Sequence, residues 1–123
     1  ETVEPVCSAD DIKSCIATVR ETHIDAAIYK YIVDIVAATR THPFAALGAS
    51  PRASIALMRA AQSTAFMDGR NYVTPEDVAI MVNYVLPHRI HLTQEAKVKR
   101  IGVDYVIDEI MKAVKPPFKG NNQ

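Results

Sequence analysis

An all-α bundle of about five helices, with at most two very short strands, is the fold class that this 123-residue sequence predicts. Three observations predict it. Apolar residues recur every three or four positions in one segment after another. Helix-starting residues (Ser8, Asp25, Ser50, Thr74 and Asp104) stand at the heads of these segments. Alternation of apolar and polar residues is confined to one stretch, Arg89 to Thr93.

Residues 1–7 are polar, broken by Pro5, and read as a linker from an upstream domain. Ser8 caps a first helix with Ile12, Cys15, Ile16 and Val19 as its apolar stripe, and His23-Ile24 breaks the run. Asp25 caps a second helix, whose stripe is Ile28, Ile32, Ile35 and Val36. Lys30 and Asp34 are spaced to face each other outside that stripe. This helix fades near Thr41, because residues before Pro43 avoid helical geometry.

The third helix runs from about Pro51 to Asp68 and ends at Gly69, a natural left-handed cap. Its alanines, Ala53, Ala56, Ala60, Ala61 and Ala65, let neighbours approach closely, which places it at the centre of the bundle. Thr74-Pro75-Glu76-Asp77 starts a fourth helix: a cap, a proline at the first position and two acids on the dipole. Val78, Met81, Val82 and Val85 are its stripe, and Pro87 ends it. Ile90 and Leu92 share one side of a short strand that can pair with Tyr72-Val73. Asp104 caps the last helix, with Ile107, Ile110, Met111 and Val114, before Pro116-Pro117 and a loose tail at 118–123.

Composition narrows the function classes. A hydrophobic fraction of 49% suits a packed single domain. Fourteen basic and 14 acidic side chains leave no net charge, against a nonspecific nucleic-acid binder. No run approaches a membrane span, and no signal peptide is evident, so the sequence points to a cytoplasmic protein with neither membrane nor nucleic acid as partner. Cys7 and Cys15 read as reduced thiols. A zinc site from Cys7, Cys15, His23 and His42 lacks any supporting spacing, and no hydrolytic constellation stands out.

One segment invites chemistry: Leu47-Gly48-Ala49-Ser50-Pro51-Arg52-Ala53-Ser54. Gly48 permits a turn that a Cβ would strain, Ser50 caps, and Pro51 takes the first helical position. Arg52 on the first turn adds its charge to the positive end of the helix dipole, an arrangement that suits phosphate. By spacing alone the plainer reading, a well-capped helix with a solvated arginine, is favoured.

The residues also carry a resemblance. Gly48 to Ser54, continuing into Leu57-Met58-Arg59-Ala60-Ala61-Gln62, resembles the sensor-2 segment of MoxR-type AAA+ ATPases. Asp68 to Val78, Tyr31 to Val36, Ala38-Thr39-Arg40, His42-Pro43 and His88-Arg89 are similar to blocks of the same family. The resemblance runs from about Val6 to Pro117 and covers only the C-terminal helical lid, placed at 8–117. It implies that Arg52 is the sensor-2 arginine that reaches the γ-phosphate region of ATP, supported by Gly48, Ser50 and Pro51. It also implies ATP and Mg²⁺ in a full-length parent, an upstream AAA+ core, neighbouring protomers of a hexameric ring, and partners with von Willebrand factor A domains. Such parents act as chaperone-like machines that mature or activate protein complexes.

Other residues have plainer readings. Arg59, seven residues on, can extend a positive edge, but a surface ion pair is simpler. Arg40 suits a helix C-terminus. His88-Arg89 has no evident chemistry, and Lys97, Lys99 and Arg100 read as a solvated basic face. The sequence lacks a Gly-Lys-Ser/Thr loop, so the chain by itself is not expected to hydrolyse ATP. The alternative function is a stand-alone helical module that binds a protein partner and never meets nucleotide.

Overall fold

The computed structural model describes residues 8–117, so the linker and tail expected at the two ends lie outside the described residues. Six helices and a small two-stranded sheet follow in order: α1 (Ala9–Arg20), α2 (Ala26–Thr39), β1 (Ala45–Leu47), α3 (Arg52–Met67), α4 (Pro75–Val85), β2 (His91–Leu92), α5 (Gln94–Val98) and α6 (Val103–Ala113). None of them is long and apolar enough to cross a membrane.

Local chemistry sets most boundaries. The Ser8 hydroxyl accepts from the Asp11 N–H (3.1 Å), and the Asp11 carboxylate accepts from the Ser8 N–H (3.0 Å), satisfying two donors of α1. The Asp25 carboxylate accepts from the Ala27 N–H (3.0 Å) to start α2. Lys30 and Asp34 meet at 2.7 Å across one turn. At the end of α3, Gly69 has φ +79°; its N–H donates to the Phe66 carbonyl and that of Arg70 to Ala65. That pair of bonds is a Schellman closure, and it needs the left-handed residue.

The apolar stripes meet around α3, which touches α1, α2 and α4, while α6 packs against α2 and α4. Ile28, Ile32, Ile35, Leu57, Val78 and Ile107 are buried among them, each aliphatic chain contributing about 1.5–3 kcal/mol relative to exposure. Ala53, Ala61 and Ala65 face the same core and are fully buried, so the small side chains do set α3 at the centre. Ala56 and Ala60 are only half-buried.

Four local features differ from the sequence reading. β2 pairs with β1, antiparallel and with a bulge (Ala45 opposite Leu92, Leu47 opposite His91), not with Tyr72-Val73. The backbone around Tyr72 is instead bonded to His23: His23 N–H donates to Asn71, and Val73 N–H to His23 (2.9 Å each). Gly102, rather than Asp104, occupies the cap position of α6, and Asp104 lies in the first turn, where its charge complements the dipole. Gln94–Val98 forms a further short helix, capped by the Thr93 hydroxyl on the Ala96 N–H (3.1 Å).

Burial of α1 is the fourth difference. It contains no buried residue, and Ile12 and Ile16 remain about half exposed because α3 is the main element against which the helix packs.

Candidate functional site

The end of α2 and the segment leading into α3 form one hydrogen-bonded unit. Thr39 is fully buried on the α2 stripe, one turn beyond Ile35. Its hydroxyl donates to the Val36 carbonyl (2.6 Å) and accepts from the Ala49 N–H (2.8 Å). Arg40 donates from Nη1 to the Ala49 carbonyl (2.9 Å). Both backbone groups of Ala49 are therefore held by side chains of α2 and its cap.

Gly48 lies against the same turn. A Cβ there would fall 2.5 Å from the Thr39 carbonyl oxygen and 2.6 Å from the Arg40 nitrogen, distances that no side chain tolerates. Close approach of two backbones, rather than a left-handed turn, requires this glycine: among the described residues, positive φ occurs only at Gly69 and Arg100.

The start of α3 also departs from the sequence reading. Pro51, with φ −57° and ψ −24°, is itself the cap residue, and no side chain caps the helix. Ser50 is exposed and contributes its carbonyl, which accepts from the Ala53 N–H (2.9 Å); the Pro51 carbonyl accepts from Ser54 (3.0 Å). These tight first-turn bonds replace the expected serine cap. They leave Arg52 as the charge at this helix end. Arg52 is exposed and makes no ion pair or side-chain hydrogen bond among the described residues.

Arg59 belongs to a different neighbourhood. Its Nη1 donates to Gln62 Oε1 (3.3 Å), and it takes part in no ion pair among the described residues. Gln62 is buried on α3 and donates to the carbonyls of Thr22 (3.0 Å) and Arg20 (3.4 Å), tying the end of α1 to α3. Arg59 also borders an apolar groove of about 450 Å³ between α1 and α3, lined by Ile12, Ile16, Phe66 and Met67. The structure thus gathers Gly48, Ser50, Pro51 and Arg52 in one place and sets Arg59 apart from them.

The strongest charge pairing lies elsewhere. Arg70 grips Asp77 with two parallel bonds of 2.8 Å, reaches Asp68 at 2.9 Å and donates to the Tyr72 carbonyl. The Asp77 carboxylate also accepts from the Thr74 N–H (2.8 Å). Burial would raise the Asp77 pKa, but the Arg70 and Thr74 bonds outweigh it and hold the carboxyl below its usual range. Four of the five Arg70 N–H donors are matched within this cluster, which fixes the α3–α4 connection.

His88-Arg89 receives a structural account as well: Arg89 Nη1 donates to the Val85 carbonyl (2.7 Å), closing the end of α4, and to His88 Nε2 (2.7 Å). His42 Nδ1 accepts from the Phe44 N–H, so Nε2 carries the proton and donates to Glu109 (2.7 Å). The Tyr105 hydroxyl (2.8 Å) and this histidine hold the Glu109 carboxyl below the usual carboxylate range. Among the described residues no group of three or more His, Cys, Asp or Glu side chains is placed to hold a metal ion. In the basic segment, Lys99 is paired with Glu95 (3.1 Å) and sits over the Phe44 ring.

Thr39 and Gln62 are the residues that sequence reasoning missed. Both are polar side chains at positions where helical periodicity calls for apolar ones, and that mismatch is the signal that would have found them.

Comparison with known proteins identifies the family of the domain. The family model described as the AAA lid domain matches residues 37–110. The protein YeaC of Bacillus subtilis is 45% identical over 119 residues, which is 97% of this chain and 37% of that protein. The chaperone MoxR1 of Mycobacterium tuberculosis is 38% identical over 100 residues, covering 74% of this chain and 26% of MoxR1. The crystal structure of a candidate ATPase from Cytophaga hutchinsonii superposes with a TM-score of 0.78 at 33% identity, over 80% of this chain and 33% of that one. The chain therefore spans between about a quarter and a little over a third of the length of these relatives.

Proposed function

Because this chain belongs to the AAA lid domain family and is a lid of the MoxR type, we propose that it closes over ATP bound by an upstream AAA+ core and presents Arg52 to the phosphates. One observation carries the reading: Arg52 stands exposed and, among the described residues, without a protein partner at the start of α3, on a segment whose backbone is fixed against α2. A planar guanidinium there suits charge on phosphate oxygens, and phosphoryl transfer depends mainly on such positioning and charge stabilisation. The fit to the nucleotide is partial. The sequence has no Gly-Lys-Ser/Thr loop, and the described residues include no group of three or more metal-ligating side chains. The core supplies the phosphate cradle and the Mg²⁺ ligands, and the lid supplies one arginine and a helix end.

In this reading 8–117 is the lid proper, 1–7 leads in from the core, and the parent works as a chaperone-like ring of six protomers that acts with partners carrying von Willebrand factor A domains. Gly48 and Pro51 serve Arg52 through the backbone, and Ser50 through its carbonyl.

Arg52→Ala in the full-length parent tests this. ATP turnover falls on the order of 10²-fold, the effect of removing one preorganised charge-stabilising donor. Unchanged turnover together with unchanged nucleotide-dependent assembly would refute the sensor role.

A second reading rests on α1. Its half-exposed Ile12 and Ile16, which line the apolar groove, favour a protein-binding module whose contacts do not depend on nucleotide. Assembly of the parent that is lost in Ile12→Asp/Ile16→Asp but insensitive to ATP would favour that reading.

A further inference from the structure

Arg52 is three residues from Ala49, and the chain between them has little freedom. The Ala49 N–H is bound to the Thr39 hydroxyl and its carbonyl to the Arg40 guanidinium. Gly48 is packed against the Thr39 and Arg40 backbone with no room for a Cβ. Proline fixes φ at residue 51. The Ser50 and Pro51 carbonyls then join the first turn of α3. The Arg52 backbone is thereby set relative to the end of α2.

We propose that Thr39 and Arg40 are positioning residues for Arg52, acting through the Ala49 peptide group and coupling the α2 end to the nucleotide contact. This rests on the reading of Arg52 as that contact. The chemistry of Thr39 supports it. The position lies on the apolar stripe of α2 and is completely buried, so packing alone would accept valine. The hydroxyl is explained by the bond that it takes from Ala49, which is itself 1% exposed and has no water to turn to. Arg40 is at the helix end, where a cation suits the dipole, yet its guanidinium is spent on a carbonyl nine residues ahead. Two unrelated side chains thus converge on one residue's backbone.

The test is a double-mutant cycle in the full-length parent, read as kcat and KM for ATP. Thr39→Val, which keeps the volume and removes the hydroxyl, lowers kcat/KM about tenfold, and Thr39→Ser restores it to within about twofold. In an Arg52→Ala background Thr39→Val has almost no further effect, because the group that it positions is gone. Arg40→Ala follows the same pattern with a smaller loss. Since its side chain is exposed, it carries the test if Thr39→Val fails to fold. Equal loss in both backgrounds means that Thr39 and Arg40 serve stability only, and refutes the proposal. The proposal also fails if Arg52→Ala is impaired while Thr39→Val and Arg40→Ala are as active as the unmodified parent. Arg52→Ala without effect removes the nucleotide reading itself, and the positioning role with it.

Discussion

Asp77→Asn changes one atom and should destabilise the fold far more than a surface substitution. The Asp77 side chain is 3% exposed and accepts two bonds from Arg70 and one from the Thr74 N–H, all at 2.8 Å. An asparagine of the same shape puts an NH₂ where a lone pair was, so one guanidinium N–H meets a donor or the Thr74 N–H loses its acceptor. Removing one partner of a fully buried pair costs about 3–5 kcal/mol. Here the cost is smaller, because Arg70 is 22% exposed and keeps Asp68 and the Tyr72 carbonyl. The range for a charged hydrogen bond, about 1.5–3 kcal/mol, is therefore the expected loss. For a domain of this size each kcal/mol moves Tm by about 4 °C, so thermal unfolding of the chain followed by circular dichroism should shift down by about 6–12 °C.

The pH dependence gives the same experiment a second reading. The folded pKa of Asp77 lies below its unfolded value near 4. As pH falls through that interval the unfolded chain takes up the proton first, so the stabilisation is present above about pH 4 and is lost below it. The gap between the parent chain and Asp77→Asn should narrow as pH drops through this window. A Tm within 2 °C of the parent at pH 7, or a gap that does not narrow in acid, would refute the reasoning.

Two further substitutions probe the fold. Ala61→Leu forces volume into a fully buried contact of α3 and should destabilise by about 1–3 kcal/mol, whereas half-buried Ala60→Leu should cost less; urea unfolding of both variants checks the order. Arg100 has φ +60° where the chain closes α5, with its N–H on the Lys97 carbonyl and that of Ile101 on Ala96, a geometry that glycine adopts without strain. Arg100→Gly should therefore stabilise the chain by about 0.5–1 kcal/mol, seen as a rise of a few degrees in Tm.

What the sequence reveals here is what depends on neighbouring residues. Thr74-Pro75-Glu76-Asp77 is readable as a helix start because its cap, proline and acids act within one turn. Gly69 closes α3 for the same reason. Ser50 shows the limit. Its pattern with Pro51 is that of a cap, but Ala49 is held by Thr39 and Arg40, Pro51 lies in helical geometry, and the serine hydroxyl makes no cap bond. These contacts come from the end of α2, ten and eleven residues upstream of Ser50.

The strand partner is hidden in the same way. Tyr72-Val73 and Ala45–Leu47 are both short segments that could pair with β2; in the fold Tyr72 is bridged to His23, and β2 meets Ala45–Leu47. Asp77 is visible as an acid on a helix dipole but not as the partner of Arg70, since Asp68, Glu76 and Asp77 are all near enough in sequence to serve. Arg52 itself is legible as a charge at a helix start, and the fixing of its backbone is not.

The candidate site and the rest of the domain are joined by α3. Its 16 residues span about 24 Å from Arg52 to Met67. At its start the chain is fixed to α2 through Ala49, and at its far end the Gly69 closure and the Arg70–Asp77 pair fix it to α4. Between them Ala53, Ala61 and Ala65 lie in close contact with the core and leave no space into which the helix could slide. The bonds at its two ends join α3 to both α2 and α4. The helix least bound by this arrangement is α1, which has no buried residue and is tied to α3 through Gln62. A change at Arg52 would therefore reach α1 least directly.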